Sequence, residues 1–323
     1  MAPEIVVSVR NLQTTFHTRV GPVRAVDGIS YDIGKGRTLG IVGESGCGKS
    51  VTSYSLMRLI EPPGEITAGQ VLLHGEDLLS LPDERMEDYR GSRLAMIFQE
   101  PMTALNPVLT VGYQMDEQIM RHMGLTRRQS RERALEMLEL VGIPAPRERY
   151  ESYPHQLSGG MRQRAMIAMA LSCEPEFLIA DEPTTALDVT LQAQVLELLA
   201  RARRESGMAV LLVTHDLGLV AESCDEVLVL YAGQVVERAP VEACFASPAH
   251  PYTAALLGAV RSLSGGGPPA EIPGNLPDPH DYPTGCRFAA RCPRADNTCR
   301  EQMPRLEERG EGRSVRCFHP EGG

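Results

Sequence analysis

The sequence predicts an α/β fold with a largely parallel sheet, and three observations carry that prediction. Strand-sized apolar runs alternate with helix-like stretches through the first 260 residues. One of those runs, "TLGIV", leads straight into the glycine-rich "GESGCGKS". Beyond them, a Gly- and Pro-dense stretch sets off a tail that holds half of the eight cysteines.

Taken in order, "TLGIV" (38–42) is a short strand without a charged residue, as a buried central strand requires. "SVTSYSLMRLI" (50–60) follows it as a helix. In "RRQSRERALEMLELVGI" (127–143), Ala134, Leu135, Met137, Leu138 and Val141 recur at three- and four-residue spacing, which predicts a helix with a core-facing stripe. "FLIAD" (177–181) and "AVLLVTH" (209–215) are two further central strands, separated by the helical "TLQAQVLELLARARRES" (190–206). "HPYTAALLGAVRSL" (250–263) is the final helix, and "SGGGPPAEIPGNLPDPHDYP" (264–283) is a linker by its Gly and Pro density. The expected division is a main domain over 1–262, a linker over 263–285 and a cysteine-rich module over 286–323.

Composition narrows the function. The formal net charge of −10 argues against a nucleic-acid binder, whose domains carry a net positive face. No apolar run reaches bilayer-spanning length, and "MAPEIVVSVR" lacks the order of a secretory signal, so the expectation is a cytoplasmic chain. Arginine supplies 30 of the 32 basic residues; the two lysines are Lys35 and Lys49.

Lys49 lies in the one place where the preference for arginine has a geometric reason to stop. "GESGCGKS" fits G-x-x-x-x-G-K-[ST] between a strand and a helix, the context a phosphate-binding P-loop requires. Its glycines let backbone N–H groups turn inward around phosphate oxygens at a helix N-terminus. Lys49 then reaches the β and γ phosphates as a compact point charge, where a planar guanidinium fits badly. Ser50 is positioned to ligate Mg²⁺. The nucleotide cradle is read as Gly43, Glu44, Ser45, Gly46, Cys47, Gly48, Lys49, Ser50 and Val51. Cys47 is the thiol to watch there, because a helix N-terminus lowers a thiol pKa.

Two acidic residues and a histidine extend the site. Asp181, at the end of "FLIAD", can hold Mg²⁺, and Glu182 beside it can orient or accept a proton from an attacking water. His215 ends another strand, where it can donate to a γ-phosphate. In "LSGGMRQR", Ser158, Gly159 and Gly160 precede a helix and offer a second anion-binding N-terminus; a plain Ser N-cap with a glycine turn is the alternative.

These motifs, in this order, resemble the ABC-family ATPases over about residues 5–260. The resemblance implies a RecA-like core, an antiparallel β subdomain and an α-helical signature subdomain over about 100–172, with the cysteine module added. It implies that Phe16 stacks on adenine, Gln99 couples Mg²⁺ to the helical subdomain, Glu182 is the catalytic base and His215 senses the γ-phosphate. Asp188, in "ALD", communicates across a head-to-tail dimer, in which ATP sits between one subunit's P-loop and the other's signature serine and glycines. Met161 stands where glutamine is usual. "FQEPMTALNPVLTVG", "LSGGMRQR", "DEPTTALDVT" and "HPYTAALL" look like the dipeptide/oligopeptide importer ATPases. That branch implies a heterodimer with a second ATPase subunit, two membrane permease subunits, an extracytoplasmic peptide-binding protein, and a place at the cytoplasmic membrane face. Nickel importers share many of these motifs and stay open as an alternative, as does, more distantly, a soluble ABC ATPase acting on nucleic acid or ribosomes.

Cys286, Cys292, Cys299 and Cys317 form a C-x₅-C-x₆-C-x₁₇-C pattern. In a cytoplasmic chain such clustering suggests metal instead of disulfides. Four thiolates suit a [4Fe–4S] cluster or structural zinc, and the missing C-x₂₋₄-C pairs favour iron–sulfur. Similar tails in peptide-importer ATPases imply the same occupant. Eight arginines against five acidic residues between the outer cysteines would offset a net-negative cluster. His319 is a possible substitute ligand.

Overall fold

The structure is a computed structural model that describes residues 4–100, 104–184, 189–264 and 272–321. These residues divide into two units, one built mainly from 80–211 and the other from 8–32, 38–79 and 212 onward.

The second unit opens with β1 (Ile5–His17), β2 (Pro22–Gly34), β3 (Thr38–Val42), α1 (Lys49–Leu56), β4 (Gly64–Leu73) and β5 (Glu76–Asp77). Four of the strands make a sheet of order β2–β1–β4–β5. All five residues of β3 are buried, as its unbroken apolar character requires. Helix α1 is shorter than the sequence suggests. Met57 caps it and Arg58 turns left-handed at φ 51°, so "MRLI" leaves the helical path.

The first unit holds α2 (Asp83–Tyr89), β6 (Leu94–Ile97), α3 (Val111–Met123), α4 (Arg127–Leu140), α5 (Pro146–Tyr150), α6 (Gly159–Leu171), β7 (Phe177–Asp181) and α7 (Val189–Ser206). β6 and β7 run parallel, from Leu94 opposite Phe177 to Ile97 opposite Ala180. Helix α4 begins at a capping box between Thr126 and Gln129 and buries Ala134, Met137 and Leu138 on the predicted stripe. Val141, just past its end, is buried as well. Asp116 of α3, itself buried, accepts from Ser130 Oγ at 2.7 Å and from the Tyr150 hydroxyl, tying α3, α4 and α5 together.

β8 (Ala209–Val213) carries the chain back into the second unit, followed by α8 (Leu217–Ser223), β9 (Glu226–Tyr231), β10 (Gln234–Pro240), α9 (Val241–Ala246) and α10 (Pro251–Ser264). The tail adds α11 (Asn297–Glu301), β11 (Glu307–Glu308) and β12 (Ser314–Val315), so α10 is not the last helix. β3 lies parallel to β9, Leu39 opposite Glu226 and Val42 opposite Val229. β9 and β10 are antiparallel, with a bulge between Val235 and Glu237. β12 pairs with β10 through Glu237–Val315 and Arg238–Ser314, so the tail extends the sheet.

The same core receives Val42 from the P-loop strand, Val229 and Tyr231 from β9, Tyr252 from α10 and Phe288 from the tail. Phe288 is only 2% exposed, and burying such a ring contributes about 1.5–3 kcal/mol. Among the described residues no helix is long and apolar enough to cross a membrane.

Candidate nucleotide site and cysteine cavity

Buried β3 delivers the chain into the P-loop, and two glycines fix its path. Gly43 has φ 155°, and a Cβ there would lie 2.3 Å from the Leu230 carbonyl oxygen. Gly48 has φ 105°, and its Cβ would lie 2.2 Å from the Ala25 carbonyl oxygen. Any side chain at either position would push the loop away from the strands behind it. Lys49 is buried, and its Nζ donates to the Gly43 and Glu44 carbonyls at 2.8 and 3.1 Å. The loop is thereby closed on itself around a fixed cation. Ser45 and Gly46 are exposed, while Ser50 and Val51 are half-buried in the first turn of α1. This arrangement fits a polyphosphate, with a rigid glycine cradle, a helix N-terminus and one held ammonium.

Cys47 departs from expectation. It is 1% exposed, and burial pushes its thiol pKa up despite the nearby Lys49. Desolvation outweighs the helix terminus, so an activated thiol is not supported here. Phe16, half-buried near the end of β1, puts its ring beside Gly64. His215, just past β8, is exposed.

In the first unit, β7 ends at Asp181, which is fully buried. Glu182 follows at φ 48°, a left-handed conformation that costs a non-glycine residue about 1–3 kcal/mol and is concentrated at functional sites. Its carboxylate accepts a hydrogen bond from Gln99 Nε2 at 3.2 Å, joining two residues that lie 83 positions apart. Ser158 caps α6, its hydroxyl accepting from the Met161 N–H at 3.3 Å, and it stands exposed with Gly159. Gln163 of α6 donates to the Pro183 carbonyl at 2.6 Å, tying the signature helix to the segment after Glu182. Asp188 lies outside the described residues.

Cys286, Cys292, Cys299 and Cys317 line one small cavity together with Phe288 and His250. Burial raises the thiol pKa of Cys286, and raises that of Cys317 to about 11, which favours the protonated thiol in both. Backbone N–H groups already oppose that cost: Phe288 and Ala289 act on Cys286, and His319 donates to Cys317 Sγ at 3.4 Å. The four thiols line one cavity, and a set of thiol donors is of a kind that suits a thiophilic metal group. Asp296, Cys299 and His319 bring their ligand atoms within 4.8 Å of one another, the sole group of this kind among the described residues.

Several tail arginines have partners elsewhere in the fold. Arg287 pairs with Asp27 and donates to the Ala232 carbonyl. Arg291 forks onto Glu44. Arg316 donates to the Val235 and Pro304 carbonyls, and Arg313 lies 3.6 Å from Glu237. Of the eight, Arg294 lines the cavity. The partners of Arg287 and Arg291 have no signal in the sequence, because spacing says nothing about ion pairs between such distant positions.

This combination of P-loop, strand-end carboxylates and signature helix defines a P-loop ATPase of the cassette type. The family model for "ABC transporter" matches residues 26–185, and that for "Oligopeptide/dipeptide transporter, C-terminal region" matches 236–299. The dipeptide transport ATP-binding protein of Bacillus subtilis (strain 168) is 51% identical over 98% of this chain and 95% of its own. Its counterpart in Escherichia coli (strain K12) is 48% identical over 97% and 96%. The dimeric structure of the ABC transporter cassette MJ0796 superposes with a TM-score of 0.66 at 28% identity, covering 73% of this chain and 98% of that one. The chain belongs to the ABC transporter ATP-binding family, in the branch that carries the oligopeptide/dipeptide transporter C-terminal region. It is an ATPase with the cassette fold.

Proposed function

We propose that this chain powers the import of dipeptides or oligopeptides. The observation that carries the reading is the cassette's complete P-loop and acidic strand end joined to a peptide-transporter C-terminal region in one chain. The 48–51% identity to dipeptide transport ATP-binding proteins over nearly the whole chain supports the substrate class. In this reading the chain pairs head-to-tail with a second ATPase subunit at the cytoplasmic membrane face. It docks through its helical subdomain on two permease subunits, which an extracytoplasmic peptide-binding protein supplies. The division into 1–262, 263–285 and 286–323 belongs to the same proposal.

ATP would lie on the P-loop, with Phe16 against adenine and Lys49 on the β and γ phosphates. The partner's signature serine and glycines would close over it, Ser158, Gly159 and Gly160 of this chain would close over the partner's ATP, and Asp188 would relay the closure. Mg²⁺ would be held by Ser50, Gln99 and Asp181, and would neutralise phosphate charge when bound. Glu182 accepts the proton of the attacking water, Gln99 orients that carboxylate, and His215 donates to the γ-phosphate. Closing on ATP and opening after hydrolysis would move the permease helices.

The four cysteines fit a [4Fe–4S] cluster, which would supply a covalent staple for the tail when bound. The absence of C-x₂₋₄-C pairs supports it over a single zinc ion. Anaerobic purification should yield about four iron and four sulfide per chain with visible absorption. Cys292→Ser should lose all three. One zinc per chain without colour would overturn the cluster and reopen the choice between peptide and nickel branches.

A further inference from the structure

The structure assigns a positioning role to Arg291 and Tyr252: Arg291 of the cysteine module and Tyr252 of α10 hold the P-loop in its nucleotide-binding shape by gripping Glu44 from two sides. This rests on the reading of 43–50 as the ATP site.

Glu44 is the first variable residue of the P-loop, and both its side chain and its backbone are engaged. Arg291 Nη1 and Nη2 donate to the two carboxylate oxygens at 2.8 and 3.0 Å, a bidentate fork. The Arg291 side chain is 5% exposed, against 27% for Glu44. Its own orientation is over-determined: Nε donates to the Pro273 carbonyl at 2.8 Å and Nη2 to the Ile272 carbonyl at 3.1 Å. From the other side, the Glu44 N–H donates to the Tyr252 hydroxyl at 2.9 Å. That N–H is therefore engaged by the clamp. Tyr252 is fully buried, its ring 4.7 Å from Tyr231 and 5.4 Å from Phe288.

A third tie reaches the far end of the loop. Gly233 N–H donates to the Cys47 carbonyl at 2.9 Å, and the neighbouring Ala232 carbonyl accepts from Arg287. Arg287, Phe288 and Arg291 all come from the seven-residue stretch running from Cys286 through Cys292, whose ends line the cysteine cavity. The clamp also explains the fate of Lys49. One of its two carbonyl acceptors belongs to Glu44, so the residue that Arg291 and Tyr252 fix also fixes the phosphate-binding ammonium.

A second link runs from the cavity itself. His250 lines it and is 1% exposed, and its Nδ1 accepts from the Tyr252 N–H at 3.0 Å.

The test is equilibrium binding of a fluorescent ATP analogue with Mg²⁺ to the full chain, purified anaerobically. Arg291→Met is expected to weaken binding by about tenfold, one lost charge-assisted bidentate contact at 1.4 kcal/mol per decade. Tyr252→Phe keeps the ring packing, removes only the acceptor, and is expected to weaken binding by about threefold. Glu44→Gln combined with Arg291→Met should be no weaker than Arg291→Met alone, because both act through one contact. Wild-type affinity in both Arg291→Met and Tyr252→Phe would overturn the inference. So would fully additive losses in the double variant. A wild-type chain that fails to bind the analogue at all would instead overturn the nucleotide-site reading itself.

Discussion

Glu182→Gln is expected to abolish ATP turnover while ATP stays bound. The substitution keeps the side chain's shape and its left-handed backbone, and removes only the charge that accepts the water proton. Loss of a general base costs about 10²–10⁴-fold in rate. Binding is unaffected on this account, because the phosphate contacts come from the P-loop and not from Glu182. Gln99 now donates to Glu182 at 3.2 Å, and a glutamine side-chain oxygen can still accept that bond. Single-turnover phosphate release and equilibrium ATP binding, measured on the same preparation, separate the two effects. Turnover within a fewfold of wild type would remove Glu182 from the chemistry.

Lys49→Arg has the second-largest expected effect, and it tests why this arginine-rich chain keeps a lysine there. The charge is unchanged, so a purely electrostatic role predicts near-normal binding. The geometry predicts otherwise. Lys49 Nζ fits between two loop carbonyls at 2.8 and 3.1 Å in a buried position, and a bulkier planar guanidinium cannot occupy that point. Losing charge-assisted hydrogen bonds of this kind costs about 1.5–3 kcal/mol, or roughly 10- to 150-fold in ATP affinity. Lys35→Arg is the internal control. Lys35 is mostly exposed and lies 3.7 Å from Glu4, a surface pair worth about 0–1 kcal/mol, so ATP affinity should not change.

The strands that carry the site were legible because they are apolar on both faces. "TLGIV" and "FLIAD" match β3 and β7 residue for residue. Each ends where a functional residue is needed, Gly43 after one and Asp181 at the end of the other, and that coincidence made the site readable. The helix after the P-loop was overextended, since "MRLI" is apolar enough to continue it and nothing local announces the left-handed turn at Arg58. Cys47 was misjudged because a helix N-terminus can be read from sequence, whereas burial to 1% exposure depends on distant strands. The tail arginines show the same limit. Their number was plain, but Arg291 meets Glu44 across 247 residues of chain, and no periodicity encodes such a pair. "HPYTAALL" was recognisable as a block, yet nothing in it announces that the buried His250 ring accepts from the Tyr252 backbone N–H.

The central claim is that ATP hydrolysis by this chain drives peptide import, and transport in living cells tests it most directly. Cells whose only copy of the chain carries Glu182→Gln should be compared with wild type for uptake of a labelled dipeptide, a labelled tetrapeptide and nickel. Peptide uptake is predicted to fall to background while nickel uptake is unchanged. Loss of nickel uptake with both peptides still entering at the wild-type rate would contradict the account.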